Sequence, residues 1–149
     1  MNYDLNKIIN KLKELSSDHL EIKSFGYGFE LEIETQKQKN QIYPQVWIQP
    51  INTQMNNNKN GVSIDRRFRF WCYDLPRRGD ENMISIWNDT EVILIDLIKL
   101  VDGVKYLSVV NTPILFPFEE KFGEAVNGHW TEVVIRSYDI LGNCEIPVK

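Results

Sequence analysis

Cysteine is nearly missing from this chain: Cys72 and Cys144 are the only two in 149 residues. Two thiols cannot build a disulfide framework or a four-ligand structural zinc site. Histidine is equally scarce, with His19 and His129 separated by 110 residues. A Cys–His nucleophile pair needs only spatial adjacency, but no local motif supports one here. The G-x-G-x-x-G, Walker, G-x-S-x-G and H-E-x-x-H patterns are all missing, so the expectation is a protein that is not an enzyme and uses no cofactor. No apolar run approaches the roughly 18 residues of a membrane helix. The opening MNYDLNKIINKLKEL has its apolar residues broken by Lys and Asn, unlike a signal peptide. Net positive charge is lacking too: the balance is −4 with a pI near 5.2, which argues against a dedicated nucleic-acid binder.

What is present fits one domain spanning residues 1–149. Apolar residues make up 42 % and charged residues 26 %, with seven Phe, six Tyr and four Trp, enough to build a core. Fourteen Asn, 17 Ile and 11 Lys form a mix that AT-rich codons supply.

Leu5, Ile8, Ile9, Leu12 and Leu15 recur at helical spacing, so residues 3–16 read as an amphipathic helix, with Asn2 or Asp4 as the N-cap. The period then falls to two. Residues 29–34 alternate Phe29, Leu31 and Ile33 with Glu30, Glu32 and Glu34, the pattern of a half-buried strand. Residues 43–51 read as a second strand bracketed by Pro44 and Pro50. The polar tract 52–60, which contains Asn56, Asn57 and Asn58, reads as a mobile hairpin loop. Residues 62–73 resume alternation, with Ile64, Phe68, Phe70 and Cys72 on one side and Asp65, Arg67, Arg69 and Trp71 on the other.

After the turn Asp74-Leu-Pro-Arg-Arg-Gly79, residues 81–102 read as a long helix with Asp80 as N-cap and Gly103 as stop. Met83, Ile86, Trp87, Leu94, Leu97, Ile98 and Val101 form its stripe. Ile84, Ile93, Ile95 and Leu100 add apolar groups elsewhere, so the helix is expected to be covered on more than one side. Segments 104–110, 114–118 and 130–138 read as strands. The order predicts an α+β fold: a mainly antiparallel sheet with an N-terminal helix and one long central helix packed on it.

Three features bear on function. The Glu30–Glu32–Glu34 row places like charges about 7 Å apart on one strand face. It reads as a salt-laced face neutralised by Arg67 and Arg69, as a hard-cation site, or as a charged intersubunit surface. Five of the six arginines fall between Arg66 and Arg78, which reads either as a phosphate contact or as a mixed, solvated sheet edge. The tract 52–60 reads as a binding element or as a tolerated surface insertion. Cys72, in phase with Phe68 and Phe70, is expected to be a buried thiol.

Two stretches carry a resemblance. Ser85-Ile-Trp-Asn-Asp-Thr90 opens the long helix, and Pro117-Phe-Glu-Glu-Lys-Phe-Gly-Glu-Ala-Val-Asn-Gly-His-Trp130 leads into the last strand. Both resemble small structural proteins of tailed bacteriophages, especially crAss-like podoviruses, and the element order resembles that of tail-terminator and tail-completion proteins. His129, between Gly128 and Trp130, and the tract 52–60 depart from the pattern.

The resemblance implies a virion protein that assembles in the host cytoplasm as a homo-oligomeric ring of roughly six or twelve copies. The ring would lie in the neck or tail, joining a portal or adaptor ring to distal tail proteins, with genomic double-stranded DNA passing through and no membrane involved. The candidate interface or channel residues are Glu30, Glu32, Glu34, Arg67, Arg69, Asn56, Asn57 and Asn58, together with Trp87, Ile93, Phe118, Phe122 and Trp130. In a lumen, the three glutamates would repel phosphate and let the duplex slide. The alternative expectation is a small cytoplasmic protein-binding module that uses the 52–60 tract and the Arg-rich strand.

Overall fold

A computed structural model describes residues 3–29, 42–59, 61–76, 83–121 and 126–139. Helix α1 (Leu5–Asp18) starts where Asp4 Oδ1 accepts from Lys7 N at 2.8 Å, so Asp4 supplies the cap. Its buried side is Ile8, Ile9, Leu12 and Ser16. Strand β1 (Ser24–Tyr27) follows, then β2 (Gln45–Asn58) and β3 (Gly61–Asp74). Helix α2 (Met83–Asp102) leads to β4 (Leu107–Val109), β5 (Phe116–Lys121) and β6 (Val126–Asp139). The chain is an α+β protein built on a six-stranded sheet in the order β1-β2-β3-β6-β4, with β5 also paired to β6. Every pairing is antiparallel except β1 with β2.

Alternation divides the sheet into two unlike faces. Val46, Ile48, Phe68, Phe70, Cys72, Val133 and Ile135 meet Ile8, Ile9 and Leu12 of α1 and Ile93, Leu94, Leu97 and Val101 of α2 in one core. Each fully buried side chain there contributes roughly 1.5–3 kcal/mol of apolar burial. A smaller aromatic cluster sits on the opposite face, made of Trp47, Trp71, Tyr73, Phe118 and Val126 with Tyr43 and Trp130 beside it.

The polar tract is the largest departure from expectation. Residues 52–58 are strand, not loop: β2 pairs with β3 out to Asn58 opposite Gly61. A long ladder satisfies the backbone whatever the side chains are, and Gly61 at φ +124° allows the tight reversal that follows. Pro50 lies inside β2, next to a register shift between Pro50 and Asn52. It is tolerated there because β1 pairs only with residues 45–48, so no β1 carbonyl requires a donor at position 50.

Strand β1 carries no alternation of its own and was not legible in the sequence. Phe29, expected on a core face, is 66 % exposed and in no described strand. The remainder of the expected 29–34 strand, with Glu30, Glu32 and Glu34, lies outside the described residues, as do Phe122, Cys144 and the cap position Asp80.

Candidate functional site

The sheet face turned away from both helices carries a dense polar and aromatic constellation among the described residues. Period two on β3 sends Asp65, Arg67, Arg69, Trp71 and Tyr73 to this side, and β6 brings its own series into register. Asp65 faces Arg136, Arg67 faces Val134, Arg69 faces Glu132 and Trp71 faces Trp130. From β2, Gln49 faces Arg69, Asn52 faces Arg67 and Gln54 faces Asp65.

Arginine and carboxylate side chains interlock along these rows. Glu132 accepts from Arg69 Nη2 at 3.0 Å and from Arg67 Nη1 at 3.2 Å. Asp65 accepts from Arg136 Nε at 2.7 Å and Nη2 at 2.9 Å, and from Asn56 Nδ2 at 3.0 Å. The hydrogen bond from Arg69, joined by Arg67, holds the Glu132 carboxyl below the usual range. Arg136, with Asn56, does the same for Asp65. Among the described residues, three arginines stand against two carboxylates on this face, inside an acidic protein.

The aromatic part adjoins the charges. Phe116 stacks on Trp130 at 4.6 Å between ring centroids, and the Arg69 guanidinium lies over the same indole at 4.6 Å. Trp71 packs beside Trp130 at 5.9 Å and meets Phe118 edge-on at 5.6 Å. Trp71 Nε1 donates to Gln49 Oε1, and Tyr73 donates to Gln45 Oε1. Arg69 Nε is buried beneath this arrangement with no acceptor among the described residues.

Two shallow depressions open on this face. One, of about 350 Å³, is walled by Arg67, Glu132, Asn111, Ile114, Phe116 and Trp130. The other, of about 310 Å³, is polar and walled by Asn52, Gln54, Asp65 and Arg136, and shares Arg67 and Asn111 with the first. The segment between β4 and β5 forms the shared rim. Asn111 fastens it as a substitute strand, donating from Nδ2 to the Glu132 carbonyl at 2.9 Å and accepting from Val134 N at 2.8 Å.

The expected site residues separate into groups. Arg67, Arg69 and Trp130 are brought together here. The carboxylate opposite the two arginines is Glu132 of β6, which the sequence reading did not single out. Asn56 holds Asp65, Asn57 is exposed on β2, and Asn58 ends that strand. Ile93 and Phe118 are corrections: Ile93 is fully buried between α2 and the sheet, and Phe118 is buried against Trp71, so both are core within one chain. Trp87 is half-buried, its Nε1 donating to the Phe118 carbonyl at 3.2 Å and tying α2 to β5. The arginine run also divides. Arg66 points to the helix side, where it is buried and donates to the Tyr3 carbonyl and to Ser137 Oγ, both at 3.1 Å. Phase with Ile64 and Phe68 was the signal that separated it from Arg67.

Among the described residues, Cys72 and His129 lie away from this face. Cys72 is buried in the main core, and burial pushes its thiol pKa up. His129 is buried beside α2. Thr90 Oγ1 donates to the Ile86 carbonyl at 2.8 Å and lies 3.0 Å from His129 Nδ1, while His129 Nε2 faces the Glu91 carboxylate at 3.7 Å. Among the described residues no three His, Cys, Asp or Glu side chains are grouped to hold a metal, and no helix is long and apolar enough to cross a membrane. What the outer face offers is recognition, through fixed guanidinium groups bordered by exposed apolar surface.

Comparison with known proteins finds no family model that matches this chain and no curated protein similar to it in sequence.

Proposed function

We propose that this protein is a virion structural subunit without catalytic activity, one copy of a homo-oligomeric ring in the neck or tail of a tailed bacteriophage. The ring would join the portal or an adaptor ring to the distal tail and form part of the DNA channel. One observation carries the reading: the two sides of the molecule expose unlike surfaces, a cation–aromatic sheet face and, on the outward side of α2, an apolar, acidic one. A ring needs such unlike patches, because each subunit contacts its two neighbours through different surfaces. The helix opening Ser85-Ile-Trp-Asn-Asp-Thr90 and the stretch 117–130 support the phage assignment by their resemblance.

Light scattering and negative-stain imaging of the purified chain, alone and with portal assemblies, test this. Rings, or rings formed on addition of portal, are expected. A monomer indifferent to connector proteins at high concentration overturns the reading. That outcome would favour the second reading, a small protein-binding module, whose binding surface would be the depression walled by Arg67, Phe116 and Trp130.

A further inference from the structure

Helix α2 buries one side only. Thr90, Ile93, Leu94, Leu97 and Val101 face the sheet, whereas Ile84 is 74 % exposed, Val92 44 % and Leu100 42 %. A 20-residue helix is about 30 Å long, and these three aliphatic groups, eight residues apart, run obliquely along the side that a lone domain leaves wet. The same surface is acidic. Asp89 and Glu91 are exposed on it, Asp96 carries a half-open carboxylate held by His19 Nε2 at 3.1 Å, and Lys99 is its cation.

The opposite side of the molecule has the matching chemistry. Arg67 is 40 % exposed, and with Arg69 it shares the single carboxylate Glu132. Next to them Ile114 and Phe116 are 64 % and 43 % exposed along the rim of the 350 Å³ depression. A basic border around an apolar hollow fits an aliphatic ridge flanked by carboxylates. The like-on-like pairings are less complementary: helix face on helix face brings together two surfaces rich in Asp and Glu, and sheet face on sheet face brings together two surfaces that each carry more arginine than carboxylate. Like charges brought together in this way disfavour the contact.

We infer that the outward face of α2 in one copy docks onto the Arg67–Ile114–Phe116–Trp130 surface of the next copy, a head-to-tail contact between second copies of this chain. The two patches lie on opposite sides of the sheet, so the contact is heterologous and repeats, and it closes into a ring when the rotation per subunit allows. The inference rests on the ring reading for the existence of self-association, and adds which surfaces make it.

A charge-exchange experiment tests it. Ile84→Arg/Val92→Arg places cations on the helix face, and Thr112→Asp/Ile114→Asp places carboxylates on the hollow. All four positions are exposed, and unchanged circular dichroism and melting confirm that each variant folds. Each variant alone is expected to self-associate about a hundredfold more weakly than wild type, and the equimolar mixture to regain assembly, since each altered face then meets its opposite charge. Variants that assemble like wild type overturn the docking surfaces while leaving the ring reading intact. A mixture that stays monomeric also overturns them. A wild-type chain that never self-associates, with or without portal, overturns both.

Discussion

Arg66 and Arg67 are neighbours in the chain and lie on opposite faces of the sheet, since successive side chains of a strand point opposite ways. Burial lowers the Arg66 pKa, and its guanidinium is held by the Tyr3 carbonyl and Ser137 Oγ, tying the start of the chain to β3 and β6. Arg66→Ala is expected to cost about 2–3 kcal/mol by leaving buried polar groups unpaired, against under about 1 kcal/mol for Arg67→Ala, as read by urea unfolding. At Gly128 an added Cβ would lie 1.9 Å from the Cys72 backbone oxygen. Gly128→Ala should therefore lose roughly 3 kcal/mol or fail to fold, because a strand backbone has nowhere to retreat.

His129 gives the fold a pH dependence of definite sign. Burial lowers its pKa, with Glu91 opposing, so the folded state binds its proton less readily than the unfolded chain. The stability this neutral imidazole allows is present above about pH 6.5, the unfolded value, and falls as the pH drops from there towards the folded pKa. His129→Gln is expected to flatten the change in Tm between about pH 7.5 and 5.5. Asp65 and Glu132, both held below their usual range, act lower: their contribution is present above about pH 4.5 and is lost on further acidification. Asp65→Asn should weaken that acid limb and cost roughly 1–2 kcal/mol at neutral pH.

Among the elements, α2 and β3 were the most legible, and their periods explain why. Four residues of β3 on the charged face and four on the core face follow from alternation alone, because every residue there adopts the same extended backbone. The α2 stripe was read from a 3.6-residue period. Ile93 was placed with the surplus apolar groups, yet it is core, since the helix buries a wider arc than a narrow stripe predicts. Leu97→Ala should then cost about 3–5 kcal/mol, and Ile84→Ala under about 0.5 kcal/mol, in the same unfolding assay. The β2 extension departs from the expected loop for the opposite reason. Asn favours turns and Asn and Lys are poor strand formers in isolation, but once β3 runs alongside, pairing of Thr53 to Asn58 with Arg66 to Gly61 outweighs that preference.

The whole molecule is a sheet with helices on one side and charge on the other, so its acidic total conceals a polarity from face to face. Self-association through those faces combines Coulomb attraction with apolar burial. It should weaken several-fold as ionic strength rises from about 0.05 to 0.5 M without vanishing, which sedimentation at two salt concentrations would measure. A contact made by apolar burial alone would show no such weakening.

By itself the sequence determined which side chains share a face and hence the α+β class, because those properties follow from the local period of the backbone. It also determined that no familiar catalytic motif stands in the chain. The tertiary structure alone decided which carboxylate Arg67 and Arg69 meet. That group is Glu132, more than sixty residues away, brought opposite by the register of β3 with β6. It likewise decided that β1 pairs parallel to β2, that the Asn-rich tract is strand, and that Trp130 lies between Phe116 and Arg69. These follow from how distant segments pack and pair, and no local period records that.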